Sequence, residues 1–125
     1  MTTILLVAHQ PLRQSLRDWL AINLPQCLVI EATDTTAAVD LVQNKTLNAI
    51  IVDIDIPQEN GFETLRRVQA AAPEAQIVAF GLDETETKRT SVMEAGAAAY
   101  LSKSKMQTEL IFVLKAAFGI VNDGQ

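Results

Sequence analysis

Five short runs of consecutive Ile, Val, Leu and Ala alternate along the chain with longer stretches in which apolar positions recur every three or four residues. The runs at 3–7, 27–32, 49–53, 76–80 and 98–101 predict strands. Unbroken apolarity marks strands covered on both faces, as in parallel sheets. Between the first two, Leu12, Leu16, Trp19, Leu20 and Leu24 share one face at helical spacing, with Pro11 where a first helical turn tolerates proline. A second helix is predicted over 36–44 with Thr35 or Asp34 as its N-cap, and a third over 60–72, burying Leu65 and Val68 and ending before Pro73. The fourth, over 86–95, stops at Gly96, and 106–121 forms the last.

Five βα units in succession imply an α/β fold, a doubly wound parallel sheet with helices on both faces, because each right-handed crossover must pack back on the sheet. A length of 125 residues suits one core, so one domain is expected over 1–125. With 49% hydrophobic and 20% charged residues, disorder and low complexity are excluded. Ten Lys and Arg against 15 Asp and Glu leave a formal charge of −5, the wrong sign for neutralising nucleic-acid phosphates. Cys27 is the single cysteine, so it forms no internal disulfide and is expected to be a buried apolar side chain. No apolar run reaches the ~18 residues of a membrane span, which leads us to expect a cytoplasmic protein without membrane contact.

In such sheets the ligand site is the crevice at the carboxyl ends of the strands. There the sequence places Ala8, His9 and Gln10 after the first strand, Asp53 and Asp55 at the third, Gly81 at the fourth and Lys103 after the fifth. An acid closing the apolar run Ala49-Ile50-Ile51-Val52 needs a partner or a reaction, and Lys103 is the obvious counter-charge. The turn after the first strand has neither Gly-x-Gly-x-x-Gly nor a P-loop, so nucleotide phosphates are not cradled there. A flavin phosphate loop is equally missing, and no Gly-x-Ser-x-Gly elbow supports a hydrolase.

The residues at these ends resemble a known family, the receiver domain of two-component response regulators, over essentially the whole chain. The segment VDIDIPQENGFETLRRV is similar to the family's phospho-acceptor stretch, with Asp53 followed by Pro57 and Gly61. EAGAAAYLSKS is similar to the stretch carrying the family's aromatic switch residue and its lysine, here Tyr100 and Lys103. ILLVAHQPLRQSL resembles the opening of NarL/FixJ-type receivers, which usually precede a helix-turn-helix domain; an effector domain of that kind would lie beyond residue 125. The resemblance implies a CheY-like, flavodoxin-like sheet of order 2-1-3-4-5, with helices one and five on one face and two to four on the other.

The family's pattern breaks at three positions. Its two metal-holding acids after strand one match Ala8 and His9, and its strand-four Ser or Thr, which catches a phosphoryl oxygen, matches Gly81. Asp53 and Lys103 alone make a neutral pocket, so Mg²⁺, which favours several oxygen ligands, is expected to bind weakly or not at all, leaving the chain without a cofactor. The resemblance implies that the side chain of Asp55 turns away from the pocket, and His9 is expected to donate a hydrogen bond to Asp53 rather than to ligate a metal. The expected function is a non-enzymatic interaction module independent of phosphorylation. Its alternatives are a conventional receiver phosphorylated on Asp53 by a histidine kinase and a small-ligand sensor using the emptied pocket. Expected partners are a histidine kinase, an effector domain or a second copy, docked through helix four, strand five and helix five. At about 100° per residue, Leu110, Leu114, Ala117 and Val121 share the core side of the last helix, flanked by Val113 and Phe118, and Phe112 points outward as a candidate contact.

Overall fold

The computed structural model describes residues 2–118. Five strands, β1 (Thr3–Val7), β2 (Leu28–Ala32), β3 (Ala49–Asp53), β4 (Gln76–Gly81) and β5 (Ala99–Ser102), form one parallel sheet in the order β2-β1-β3-β4-β5. Five α-helices connect and follow them: α1 (Leu12–Asn23), α2 (Thr35–Asn44), α3 (Gly61–Ala71), α4 (Glu86–Glu94) and α5 (Met106–Phe118). This is the doubly wound sheet that the pattern predicts, in the CheY-like, flavodoxin-like strand order that the family resemblance implies, in a single domain. Strand limits differ from the sequence expectation by one residue at most: β2 starts at Leu28, and β4 and β5 run on to Gly81 and Ser102.

The alternation of side chains along each strand divides the core in two. Leu5, Val7, Ile50, Val52, Ile77 and Ala79 face α2, α3 and α4 through Ala38, Val42, Leu65, Val68 and Val92. Ile4, Leu6, Ala49, Ile51, Val78 and Phe80 face α1 and α5 through Leu16, Leu20, Met106, Leu110 and Leu114. β3 is buried along its whole length, so its last residue, Asp53, enters the crevice from a fully dry strand. Cys27 is half-buried rather than buried, because it stands just before β2, an edge strand of the sheet.

Helix starts follow the capping chemistry. Asp34 accepts from Ala37 N–H, Asn60 from Phe62 and Glu63 N–H, and Thr85 from Lys88 N–H, each satisfying amides with no partner inside the helix. Gly96 closes α4 at φ +124°, a conformation glycine adopts without strain. Leu110 and Leu114 are buried and Val113 is half-buried, as the phase of α5 predicts, whereas Phe112 is 69% exposed. Val121 lies outside the described residues, as do the side chains of Ala117 and Phe118. Among the described residues no helix is long and apolar enough to cross a membrane.

Candidate functional site

Three strand ends bring the charged residues together. Asp53, only 4% exposed, meets Lys103 with Oδ1 3.3 Å from Nζ, and the same oxygen accepts from Asp55 N–H at 2.8 Å. The buried carboxylate is thereby both paired and hydrogen-bonded, which is what an ionised group needs to leave water. Lys103 also lies 5.8 Å from the centroid of the buried Phe80 ring, where the ring's negative face favours the ammonium.

Asp55 corrects one expectation. Its side chain turns into the site: Oδ2 accepts from Leu82 N–H at 2.7 Å and lies 3.8 Å from Lys103 Nζ. Two carboxylates therefore share one ammonium, and the local charge is negative rather than balanced. Gly81 makes the arrangement possible. A Cβ at that position would stand 3.1 Å from Asp55 Oδ2, 2.9 Å from the Tyr100 hydroxyl and 2.9 Å from Ile54 Cγ1.

Tyr100 is turned inward and is 2% exposed. Its hydroxyl donates to the Asp83 carbonyl at 2.6 Å, and its own carbonyl accepts from Arg89 Nη1 at 2.9 Å. Burial, followed by the negative charges of Asp55 and Asp83, pushes its pKa up to about 12. The β4–α4 turn, α4 and β5 are thus tied to one residue, the turn through the Tyr100 hydroxyl and α4 through its carbonyl.

The β1–α1 end is different. Ala8 is fully buried. His9 stands exposed, and no hydrogen bond joins it to Asp53, contrary to expectation: its side chain leaves the strand end toward water, where the ring is solvated at no cost. What the sequence reasoning missed there is Arg13, which donates to the Ala8 carbonyl at 3.2 Å and pairs with Glu31 at 3.0 Å; Arg17 reaches the other oxygen of Glu31 at 3.1 Å. The available signal was Glu31 itself, an acid inside the apolar run of β2.

A second missed contact holds the loop after β3. Glu59 Oε1 accepts from Thr35 N–H at 2.9 Å and from the Thr35 hydroxyl, which also meets the buried Thr64 hydroxyl at 2.7 Å. Gln58 sits just before it at φ 67°. Gly61 is required beside this loop, because a Cβ there would overlap the Ile54 carbonyl. Among the described residues no group of three or more His, Cys, Asp and Glu is placed to hold a metal ion.

Comparison with known proteins agrees with this geometry. Residues 4–115 match the response regulator receiver domain family. The chain is 29% identical over 107 residues to the transcriptional regulatory protein DegU of Brevibacillus brevis, covering 86% of this chain and 45% of that one. It is 27% identical over 116 residues to the nitrate/nitrite response regulator protein NarL of Escherichia coli K12, covering 92% and 54% respectively. The chain therefore spans about half the length of these curated relatives. A two-component response regulator of the LuxR family from Aurantimonas sp. SI85-9A1 superposes with a TM-score of 0.84 at 27% identity, over 95% of this chain and 86% of that one. The receiver domain of a sensor histidine kinase from Pseudomonas aeruginosa PAO1, solved with a magnesium ion coordinated in its active site cleft, gives 0.79 at 25% identity over 95% and 98%.

Proposed function

The chain belongs to the response regulator receiver family of two-component signalling, and we propose that it works there as a protein-interaction module that needs no phosphoryl group. The observation that carries this reading is the commitment of the site's donors. Lys103 faces both Asp53 and Asp55, and Leu82 N–H is taken by Asp55. Phosphoryl transfer depends on cations and oriented donors to stabilise charge. With Ala8 and His9 at the positions the family resemblance assigns to metal acids, Asp53 retains little help in gathering the several oxygen ligands that Mg²⁺ prefers. Mg²⁺ is accordingly bound weakly or not at all, and the domain is a signalling module rather than an enzyme.

Receivers of this family work with histidine kinases and effector domains, and the surface proposed for such a partner, or for a second copy, is α4, β5 and α5. Phe112 on α5 is 69% exposed and Met93 on α4 is 40% exposed, apolar area that a partner would cover. A second reading, a conventional receiver phosphorylated on Asp53, draws on the Asp53–Lys103 pair at 3.3 Å, which keeps an acceptor beside a cation. Exposure to acetyl phosphate and Mg²⁺, followed by intact-mass measurement with Asp53→Asn as control, separates them. No phosphoryl adduct is expected; an adduct that disappears in the control would establish the second reading.

A further inference from the structure

Asp55 is the residue whose position the proposed function does not by itself explain. It lies in the loop after β3, with its side chain 35% exposed, and an aspartate there would be best hydrated facing outward. Instead its carboxylate sits between the amide of Leu82, 27 residues away in sequence, and the ammonium of Lys103. These are the same two kinds of donor that any oxyanion joined to Asp53 would require, since Lys103 is also the cation on Asp53. The neighbours are matched to this occupant. Gly81 leaves the space into which Oδ2 and the Tyr100 hydroxyl both come, and Leu82 N–H draws the β4 end toward the β3 loop.

We propose that Asp55 is the pocket's built-in anion: its carboxylate occupies the seat of an oxyanion bound at Asp53 and, by holding the end of β4, keeps Tyr100 inward. The proposal deepens the phosphate-independent reading and rests on it. A phosphoryl group on Asp53 would bring about two negative charges against Asp55 with one ammonium to balance them, so seat and ligand exclude each other. The inward ring is then the resting arrangement of the domain, and Asp55 is a positioning residue acting on Tyr100 through Leu82 and the end of β4.

Tyr100 is the only tyrosine of the chain, so tyrosine labelled with ¹³C at Cζ, which lies on the ring-flip axis, gives a single resonance that reports its ring. The wild-type chain is expected to show one narrow line. Asp55→Ala empties the seat, and the line is expected to split or broaden as the ring samples outward positions; sodium formate, a carboxylate small enough to enter, then restores the single line. Asp55→Asn, which keeps an acceptor for Leu82 N–H but loses the charge facing Lys103, gives a smaller outward population, and decides alone if the alanine variant does not fold. A line unchanged in both variants, or a split that formate leaves as it is, overturns the proposal. Failure of the underlying reading registers elsewhere, as a phosphoryl adduct on the wild-type chain.

Discussion

The two sides of the strand-end crevice use opposite charge ratios. On the β3–β5 side two carboxylates, Asp53 and Asp55, share one ammonium; on the β1–β2 side two guanidiniums, Arg13 and Arg17, share one carboxylate, Glu31. The distances are alike, 3.3 and 3.8 Å against 3.0 and 3.1 Å, so geometry does not rank them. Burial does. Asp53 is 4% exposed and depends on its cation, whereas Glu31 is 26% exposed and keeps water as an alternative partner. The carboxylate that depends most on its cation is thus Asp53, while the second one, Asp55, keeps water at 35% exposure; on the other side the excess positive charge stands beside the Ala8 carbonyl, an unfavourable neighbour for an added divalent cation.

The largest expected effect is on the buried side. Lys103→Met leaves a carboxylate without its cation and should destabilise the domain by about 3 kcal/mol in urea unfolding, because breaking a buried pair from one end exposes the full desolvation penalty. A loss under about 1 kcal/mol would mean that water reaches Asp53 and would erase the contrast.

Tyr100 supplies a pH test of the same side. Its pKa is raised to about 12 from 10.0, so between those values the folded state keeps a proton that the unfolded chain has lost. Stability should therefore fall as pH rises through that window, by about 2 kcal/mol, with phenolate absorbance appearing late in the native protein. Half-ionisation near pH 10 would place the hydroxyl in water.

Gly81→Ala comes next. Its Cβ would crowd the Tyr100 hydroxyl, Asp55 Oδ2 and Ile54, costing about 1–2 kcal/mol by overpacking and displacing the tyrosine ring, which its fluorescence would register. Arg13→Met, on the solvated side, should cost about 1 kcal/mol and leave Tyr100 unmoved. Equal losses for Arg13→Met and Lys103→Met would break the comparison. The smallest effect is expected at Phe112→Lys, within about 0.5 kcal/mol in stability. Its readout is weaker self-association or effector docking by analytical ultracentrifugation, and a large drop in melting temperature would instead assign Phe112 to the core.

How far the chain could be understood without its structure depended on the range of the interaction involved. Strand and helix limits to within about a residue, a cap at Thr35 or Asp34, and the stop at Gly96 follow from periodicity and from side chains acting on amides two or three residues away, whereas Asn60, expected inside the third helix, turns out to be its cap. The Asp53–Lys103 pair was also legible, because a charge closing a buried strand of a parallel sheet has few places to find its opposite. The inward turn of Asp55, the outward His9, the Arg13 contact with Ala8 and Glu31, and the tether from Glu59 to Thr35 were not. Each is a choice among side-chain orientations that are nearly equal in local energy, so a donor or acceptor supplied by another strand or helix decides it. Leu82 N–H faces Asp55 only because β4 lies beside β3 with Gly81 at its end. The amino-acid pattern determined that the strand ends would meet; which carboxylate took the free amide and the shared ammonium was decided by tertiary packing, because only packing brings those donors within hydrogen-bonding distance.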